Sequence, residues 1–111
     1  MRDYTYDPRR ELPDFPGSGG INFGSMQVQP EPGFRDDVLS FVLPPLAARI
    51  DVRGRMTARI AVASDCEDTC FYVRTSVRKT DGRWYLLRDD ITSLSFQLGD
   101  YVPGSKRILE F

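Results

Sequence analysis

The sequence contains no histidine, and this absence excludes more functions than any other feature of its composition. A Ser-His-Asp triad, a Cys-His pair and a histidine-based metal centre cannot be assembled from this chain alone. Its two cysteines, Cys66 and Cys70, are too few for a disulfide-rich secreted domain and make a poor zinc site. We therefore expect no catalytic residue, no metal ion and no cofactor in this chain, and leave open a local disulfide between the two cysteines.

Long apolar runs and a strong net charge are also lacking. No run approaches the ~20 apolar residues of a membrane-spanning helix, and the first residues are polar and acidic, unlike a signal peptide. Fifteen Lys and Arg against sixteen Asp and Glu give a net charge of −1, which disfavours nucleic acid and anionic membranes as partners. We expect a cytoplasmic protein of one domain, with secretion left open.

Composition changes near residue 37. The first 37 residues hold five of the eight prolines and five of the nine glycines, which is typical of irregular, extended chain. Aromatic and aliphatic side chains are nevertheless spaced through this segment. It is therefore predicted to be an extended strap (residues 1–37) that packs along a β-sandwich formed by residues 38–111.

From residue 38 onward, apolar and polar side chains alternate with a period of two, as in half-buried strands. Met56, Ala58, Ile60 and Val62 are predicted to face one way, and Thr80-Asp81-Gly82 is predicted to be a hairpin turn. No stretch has a convincing helical period. The predicted strands cover 38–43, 50–52, 55–64, 70–79, 83–88, 91–98 and 105–111, with Leu94, Phe96 and Leu98 aligned in the sixth and Ile108 apolar in the last. Short strands at this spacing predict an all-β, antiparallel sandwich.

Two groups of side chains are candidates for ligand binding. The aromatic residues Tyr72, Trp84 and Tyr85 are candidates for contact with a carbohydrate or a protein partner. The carboxylates of the 65–68 loop, with Asp81, Asp89 and Asp90, resemble calcium ligands in kind, but their spacing does not match a known calcium loop. Solvated loop charge is therefore the preferred interpretation of these carboxylates.

An ordered series of short motifs runs through most of the chain. Its members are Tyr4-Thr5-Tyr6-Asp7-Pro8, Pro13, Gly19-Gly20, Arg35-Asp36-Asp37-Val38-Leu39-Ser40-Phe41, Pro45-Leu46, Val52-Arg53-Gly54, Val62-Ala63-Ser64-Asp65, Asp68-Thr69-Cys70-Phe71, Asp81-Gly82 and Pro103-Gly104. Taken together, this series resembles the C-terminal domain of the X-Pro dipeptidyl-peptidase (S15) and cocaine-esterase-like serine hydrolases. The sequence departs from that pattern at Cys70, where the family has an Asp, and over 87–94.

The resemblance implies a jelly-roll, galactose-binding-like sandwich packed on an α/β-hydrolase domain that carries the Ser, Asp and His. The domain itself would be non-catalytic, bracing that catalytic domain and lining one side of the substrate cleft. The segment after Gly-Gly approaches the cleft in such enzymes, which assigns Ile21, Asn22 and Phe23 to its lining.

The family pattern also continues beyond the Pro-Gly strand. The chain is therefore expected to lack the final strands of the sandwich, with an edge strand covered by the strap or by a second copy of the chain. Two other functions stay open: a free-standing β-sandwich module that binds carbohydrate or protein, and an enzyme that uses only carboxylates.

Overall fold

The computed structural model describes residues 1–12 and 27–111. Strands dominate this part of the chain, which contains one helix of five residues. The elements are β1 (Val28–Gln29), β2 (Arg59–Val62), β3 (Cys70–Arg78), β4 (Trp84–Ser93), α1 (Leu94–Leu98) and β5 (Arg107–Glu110). Within the described residues, no helix has the length and apolar character needed to cross a membrane.

The strands form two antiparallel sheets, one in the order β1-β4-β3 and the other joining β2 to β5. The prediction of a β-rich, antiparallel domain is confirmed at this level. The chain divides into two compact units, Met1–Asp51 with Ser76–Leu87 (unit 1) and Val52–Thr75 with Arg88–Phe111 (unit 2). The predicted division into a strap and a sandwich at residue 37 stays a prediction.

Unit 1 contains β1 and the turn end of the β3–β4 hairpin. Val28 pairs with Tyr85 and Gln29 with Trp84, and the amide of Leu86 donates to the carbonyl of Gln27 at 2.9 Å. The predicted hairpin turn is confirmed: the amide of Gly82 donates to the carbonyl of Lys79 at 3.0 Å. Gly82 has a φ of 81°, which glycine adopts without the steric cost that a side chain would bring.

Unit 2 is built around a small apolar core. Leu94 and Leu109 are fully buried, Tyr101 is nearly so, and partly buried side chains pack against them: Val62, Phe71, Leu98 and Phe111. Val62 of β2 packs against this core, and Ile60 pairs directly with Leu109 across the β2–β5 ladder. The predicted inward alternation of this strand is therefore confirmed at Ala58, Ile60 and Val62, whereas Met56 lies exposed.

Tyr101 joins this core to the loops around it. Its hydroxyl accepts the amide hydrogen of Ser64 at 2.9 Å and donates to the carbonyl of Ser105 at 2.6 Å. The carbonyl of Ser64 in turn accepts the amide hydrogen of Gly104 at 2.7 Å. One buried ring therefore connects the end of β2 to the turn that precedes β5.

The predicted strand over 91–98 is confirmed at 91–93, which belong to β4, and is wrong over 94–98, where the chain forms the helix α1. The side chain of Ser93 caps the helix by accepting the amide hydrogen of Phe96 at 3.1 Å, and Gly99 ends it with a φ of 70°. Leu94 and Leu98 are four residues apart, a spacing that also places two side chains on one helix face. Phe96 lies between them and is 85% exposed, so the predicted three-residue alignment is wrong.

Three other strand predictions also need correction. The structure has no strand over 38–43 or 50–52, and the apolar side chains of Phe41, Leu43 and Val52 are exposed there. Pro44 and Pro45 have no amide hydrogen to donate to a neighbouring strand. In β5 the buried residue is Leu109 and Ile108 is exposed, one position away from the prediction, because a shift of one residue reverses the faces of a strand.

We expect Leu109→Ala to lower the free energy of unfolding by about 2–5 kcal/mol, because it removes buried methyl groups and leaves a cavity. The neighbouring Ile108→Ala serves as a matched control and should cost less than about 1 kcal/mol, since Ile108 is half exposed. Chemical denaturation monitored by circular dichroism measures both. Equal losses for the two variants would contradict the described orientation of β5.

Candidate functional site

Residues 1–12 contain a tight turn at Asp7-Pro8-Arg9-Arg10. The amide of Arg10 donates to the carbonyl of Asp7 at 3.0 Å, and the carboxylate of Asp7 accepts both the amide and the guanidinium hydrogens of Arg9 at 3.0 Å. Pro8 presets the backbone φ that the second position of such a turn requires. Local sequence thus accounts for the shape of this segment.

A distant arginine holds the end of that turn. Arg35 donates from Nη2 to the carbonyl of Arg10 at 2.9 Å and from Nη1 to the carbonyl of Glu11 at 3.0 Å. The same guanidinium binds the carboxylate of Asp37, with Nε at 2.7 Å from Oδ1 and Nη2 on Oδ2. The side chains of Arg35 and Asp37 are 17% and 13% exposed, so this pairing is largely shielded from water.

Arg10 also binds the two aspartates that follow Arg35. Its Nη2 lies 2.9 Å from Oδ1 of Asp36, and its Nε lies 3.9 Å from Oδ2 of Asp37. We call these four residues, Arg10, Arg35, Asp36 and Asp37, the strap clamp. It joins the Arg35-Asp36-Asp37 motif to Arg10 and Glu11, which follow the Tyr-Thr-Tyr-Asp-Pro motif within three residues and lie more than twenty residues before Arg35.

The strap clamp also sets the protonation of its carboxylates. The hydrogen bonds from Arg35 hold the pKa of Asp37 below its usual range, against a smaller opposing effect of desolvation. The hydrogen bond from Arg10 lowers the pKa of Asp36 in the same way. Both groups therefore stay ionised to a lower pH than an ordinary aspartate, and the clamp is fully charged at neutral pH.

We expect Arg35→Lys to loosen the first part of the strap. A lysine keeps the positive charge but has one ammonium group in place of the planar fork, so it cannot reach Asp37 and both strap carbonyls together. Amide hydrogen exchange over 9–12 should become several-fold faster. Arg49→Lys is the matched control, since the Arg49–Asp51 pair is well exposed, and it should leave these amides unchanged. Unchanged exchange in the Arg35 variant would rule out the clamp.

Acid should release the clamp as well. A carboxylate whose pKa is lowered by folding contributes stability above its ordinary pKa and loses that contribution as the pH falls through the lowered value. The protection of the amides over 9–12, which is their exchange rate compared with the intrinsic rate at the same pH, should therefore be lost at a pH below the usual titration of aspartate. In Asp37→Asn this protection should already be low at neutral pH and depend less on acid, whereas an identical dependence of protection on pH would contradict this role of Asp37.

The predicted aromatic candidates lie in different units. Trp84 and Tyr85 belong to unit 1, where Trp84 Nε1 donates to the carboxylate of Glu31 at 2.9 Å and the Tyr85 hydroxyl donates to Asp81 at 2.5 Å. Consecutive strand residues point to opposite faces, so these two rings do not share one face of the sheet. The ammonium of Lys79 lies 4.5 Å from the centre of the Tyr85 ring.

Tyr72 belongs to unit 2 and is 42% exposed. Its hydroxyl donates to the carboxylate of Asp89 and accepts from Nη2 of Arg74 at 3.2 Å, and the Arg74 guanidinium lies 5.3 Å from the ring centre. Partial burial and the bond to Asp89 raise the pKa of this tyrosine. The predicted cleft residues Ile21, Asn22 and Phe23 lie outside the described residues.

The acidic loop before β3 has a local structural role. The carboxylate of Asp68 accepts the amide hydrogen of Ser95 at 3.0 Å and its hydroxyl hydrogen at 2.6 Å, which lowers the pKa of Asp68.

Cys66 and Cys70 are both free and exposed. Over residues 1–12 and 27–111, the His, Cys, Asp and Glu side chains form no group of three that could hold a metal ion.

The sequence placed Arg35, Asp36 and Asp37 in one motif, but it assigned no structural role to Arg35 or to Arg10. The available sign that these arginines pair with the aspartates is that their charges are opposite. Arginines in an otherwise extended, proline-rich segment and an Arg-Asp-Asp triplet are complementary, but nothing in their spacing shows that they meet.

Comparison of the chain with known protein families, with curated proteins and with solved structures finds no match.

Proposed function

We propose that this chain is a non-catalytic accessory β-domain of a serine hydrolase similar to X-Pro dipeptidyl-peptidases and cocaine esterases. In this role it braces an α/β-hydrolase domain and lines one side of the substrate cleft. The finer topology, a jelly-roll sandwich, is part of the proposal. The partner domain supplies the Ser, Asp and His, and this chain supplies an interaction surface.

The observation that carries the proposal is an exposed apolar segment (residues 41–50). It has neither helix nor strand, and its large hydrophobic side chains point into solvent: Phe41 71%, Val42 57%, Leu43 85%, Leu46 68% and Ile50 58% exposed. Single exposed apolar residues are ordinary, but a contiguous series of them marks a surface that another molecule covers. The segment therefore supports docking against a second domain.

The small number of buried apolar residues points the same way. In the described part of the chain, only Leu86, Leu94, Tyr101 and Leu109 are buried hydrophobic residues. A small domain already buries a modest share of its surface, and one with so few core residues gains stability from a partner. An accessory domain that folds against a larger catalytic body fits this composition.

The strap clamp and the lack of histidine support the choice of hydrolase family. The clamp joins one motif of the resemblance, Arg35-Asp36-Asp37, to Arg10 and Glu11, which lie shortly after another, Tyr-Thr-Tyr-Asp-Pro. A chain without histidine fits a division in which the catalytic triad belongs to another domain. Carbohydrate binding is less well supported, because Trp84 and Tyr85 lie on opposite faces and their polar atoms are already hydrogen-bonded within unit 1.

A fluorophosphonate probe, which reacts with the activated serine of serine hydrolases, tests the proposal. For this test the gene is tagged at its native locus, and the tagged protein purified from its own cells is treated with the probe. We expect labelling of the tagged polypeptide or of a stoichiometric partner, whereas the isolated 111-residue chain stays unlabelled. A native tagged species that does not react would refute the proposal and favour a free-standing binding module.

A pair of variants locates the docking surface in the same native species. Leu43→Asp puts a charge into the apolar segment and should lower the temperature at which probe labelling is lost. Val102→Asp is the matched control, since it places the same charge at an exposed apolar position in unit 2. Equal behaviour of the two variants would contradict docking through residues 41–50.

A further inference from the structure

Unit 1 contains a pocket of about 360 Å³ beside the strap clamp. This volume lies in the range of small-ligand sites, and the pocket is open to solvent. Its apolar walls are the Tyr6 ring, Pro8 and Leu12, and its charged walls include Arg10, Glu11 and Asp37. The pocket is thus mixed in character, with an apolar side and an ionic side.

Most of the charges at this pocket are already paired. Asp7 binds Arg9, Asp37 binds Arg35, and Arg10 binds Asp36. The carboxylate that remains is Glu11, which has no ion-pair partner among residues 1–12 and 27–111. Three arginines against four carboxylates leave one negative charge at the pocket, so its electrostatic complement is a single positive charge.

The residues that line the pocket indicate which chemical group would carry that positive charge. The carboxylates do not group into a set that could hold a metal ion in the described part of the chain. Tyr6 is 74% exposed and Leu12 is half exposed, so both offer apolar surface to a ligand. Lysine and arginine side chains pack their aliphatic stems on such surface while their charged heads stay at its polar rim, and a tyrosine ring attracts the cation.

We propose that this pocket binds one lysine or arginine side chain of a partner polypeptide, with the stem against Tyr6 and Leu12 and the charged head at Glu11. This assignment requires only that the partner present a basic side chain. It therefore holds for a hydrolase domain and for any other protein partner, and it can fail while the proposed function stands.

The probes are blocked amino acids added to the full chain and followed by nuclear magnetic resonance. N-acetyl-lysine amide and N-acetyl-arginine amide should shift the amides of Tyr6, Glu11 and Leu12 in a saturable manner. N-acetyl-norleucine amide has a similar aliphatic stem without the charge and should bind more weakly. No saturable shift with either cation, or equal binding of norleucine amide, would overturn the proposal.

Two variants separate the pocket from general charge effects. Glu11→Gln should weaken lysine amide binding by roughly fivefold, the size expected of one exposed ion pair. Glu67→Gln removes the same charge from an exposed loop of unit 2 and should leave the affinity unchanged. Tyr6→Ala should weaken binding of both cationic probes while hydrogen exchange over 9–12 stays as in the original chain. If Glu11→Gln and Glu67→Gln have the same effect, the positive charge is not bound at this pocket.

Discussion

The bidentate pairing of Arg35 with Asp37 is the interaction on which unit 1 depends. Residues 1–12 form no strand and take no part in either sheet, so no backbone ladder holds them. Their position depends on side chains, above all on a guanidinium that Asp37 orients toward the carbonyls of Arg10 and Glu11. Because that fork is planar and rigid, it fixes direction as well as distance. The pocket beside the strap clamp is lined by Arg10, Glu11 and Asp37, whose positions this pairing holds.

Unit 2 is stabilised by a different kind of interaction. Its core is apolar and small, and the Tyr101 hydroxyl connects it to the surrounding loops. The helix α1 is held to β5 by the side-chain amide of Gln97, which accepts the amide hydrogen of Glu110 at 2.9 Å and donates to its carbonyl. The apolar segment 41–50 of unit 1 stands in contrast, because it forms no strand and its large apolar side chains are exposed. The contrast between buried apolar side chains in unit 2 and exposed ones in residues 41–50 supports the proposal that this domain docks on a partner.

The alternation of apolar and polar residues predicted the elements in which buried and exposed side chains alternate in the same way. The hairpin of β3 and β4 and the inward residues of β2 follow from alternation and from a glycine turn. Prediction failed where the pattern fits two structures. Leu94 and Leu98 suit a strand by alternation and a helix by their spacing of four, and the bonds from Ser93 and Asp68 at the first turn favour the helix. The segment 38–43 has the composition of a strand, but a strand also needs a partner to pair with.

The sequence by itself determined the β-rich character of the chain, its turns and the lack of a histidine-based active site. These properties depend on residue type and on neighbours a few positions apart. Only the tertiary structure decided that Arg35 reaches the carbonyls of Arg10 and Glu11, that the Glu11 carboxylate has no ion-pair partner among the described residues, and that Leu109 rather than Ile108 is buried. Each of these depends on a contact between distant segments or on a register, and side-chain reach and strand pairing in three dimensions determine both.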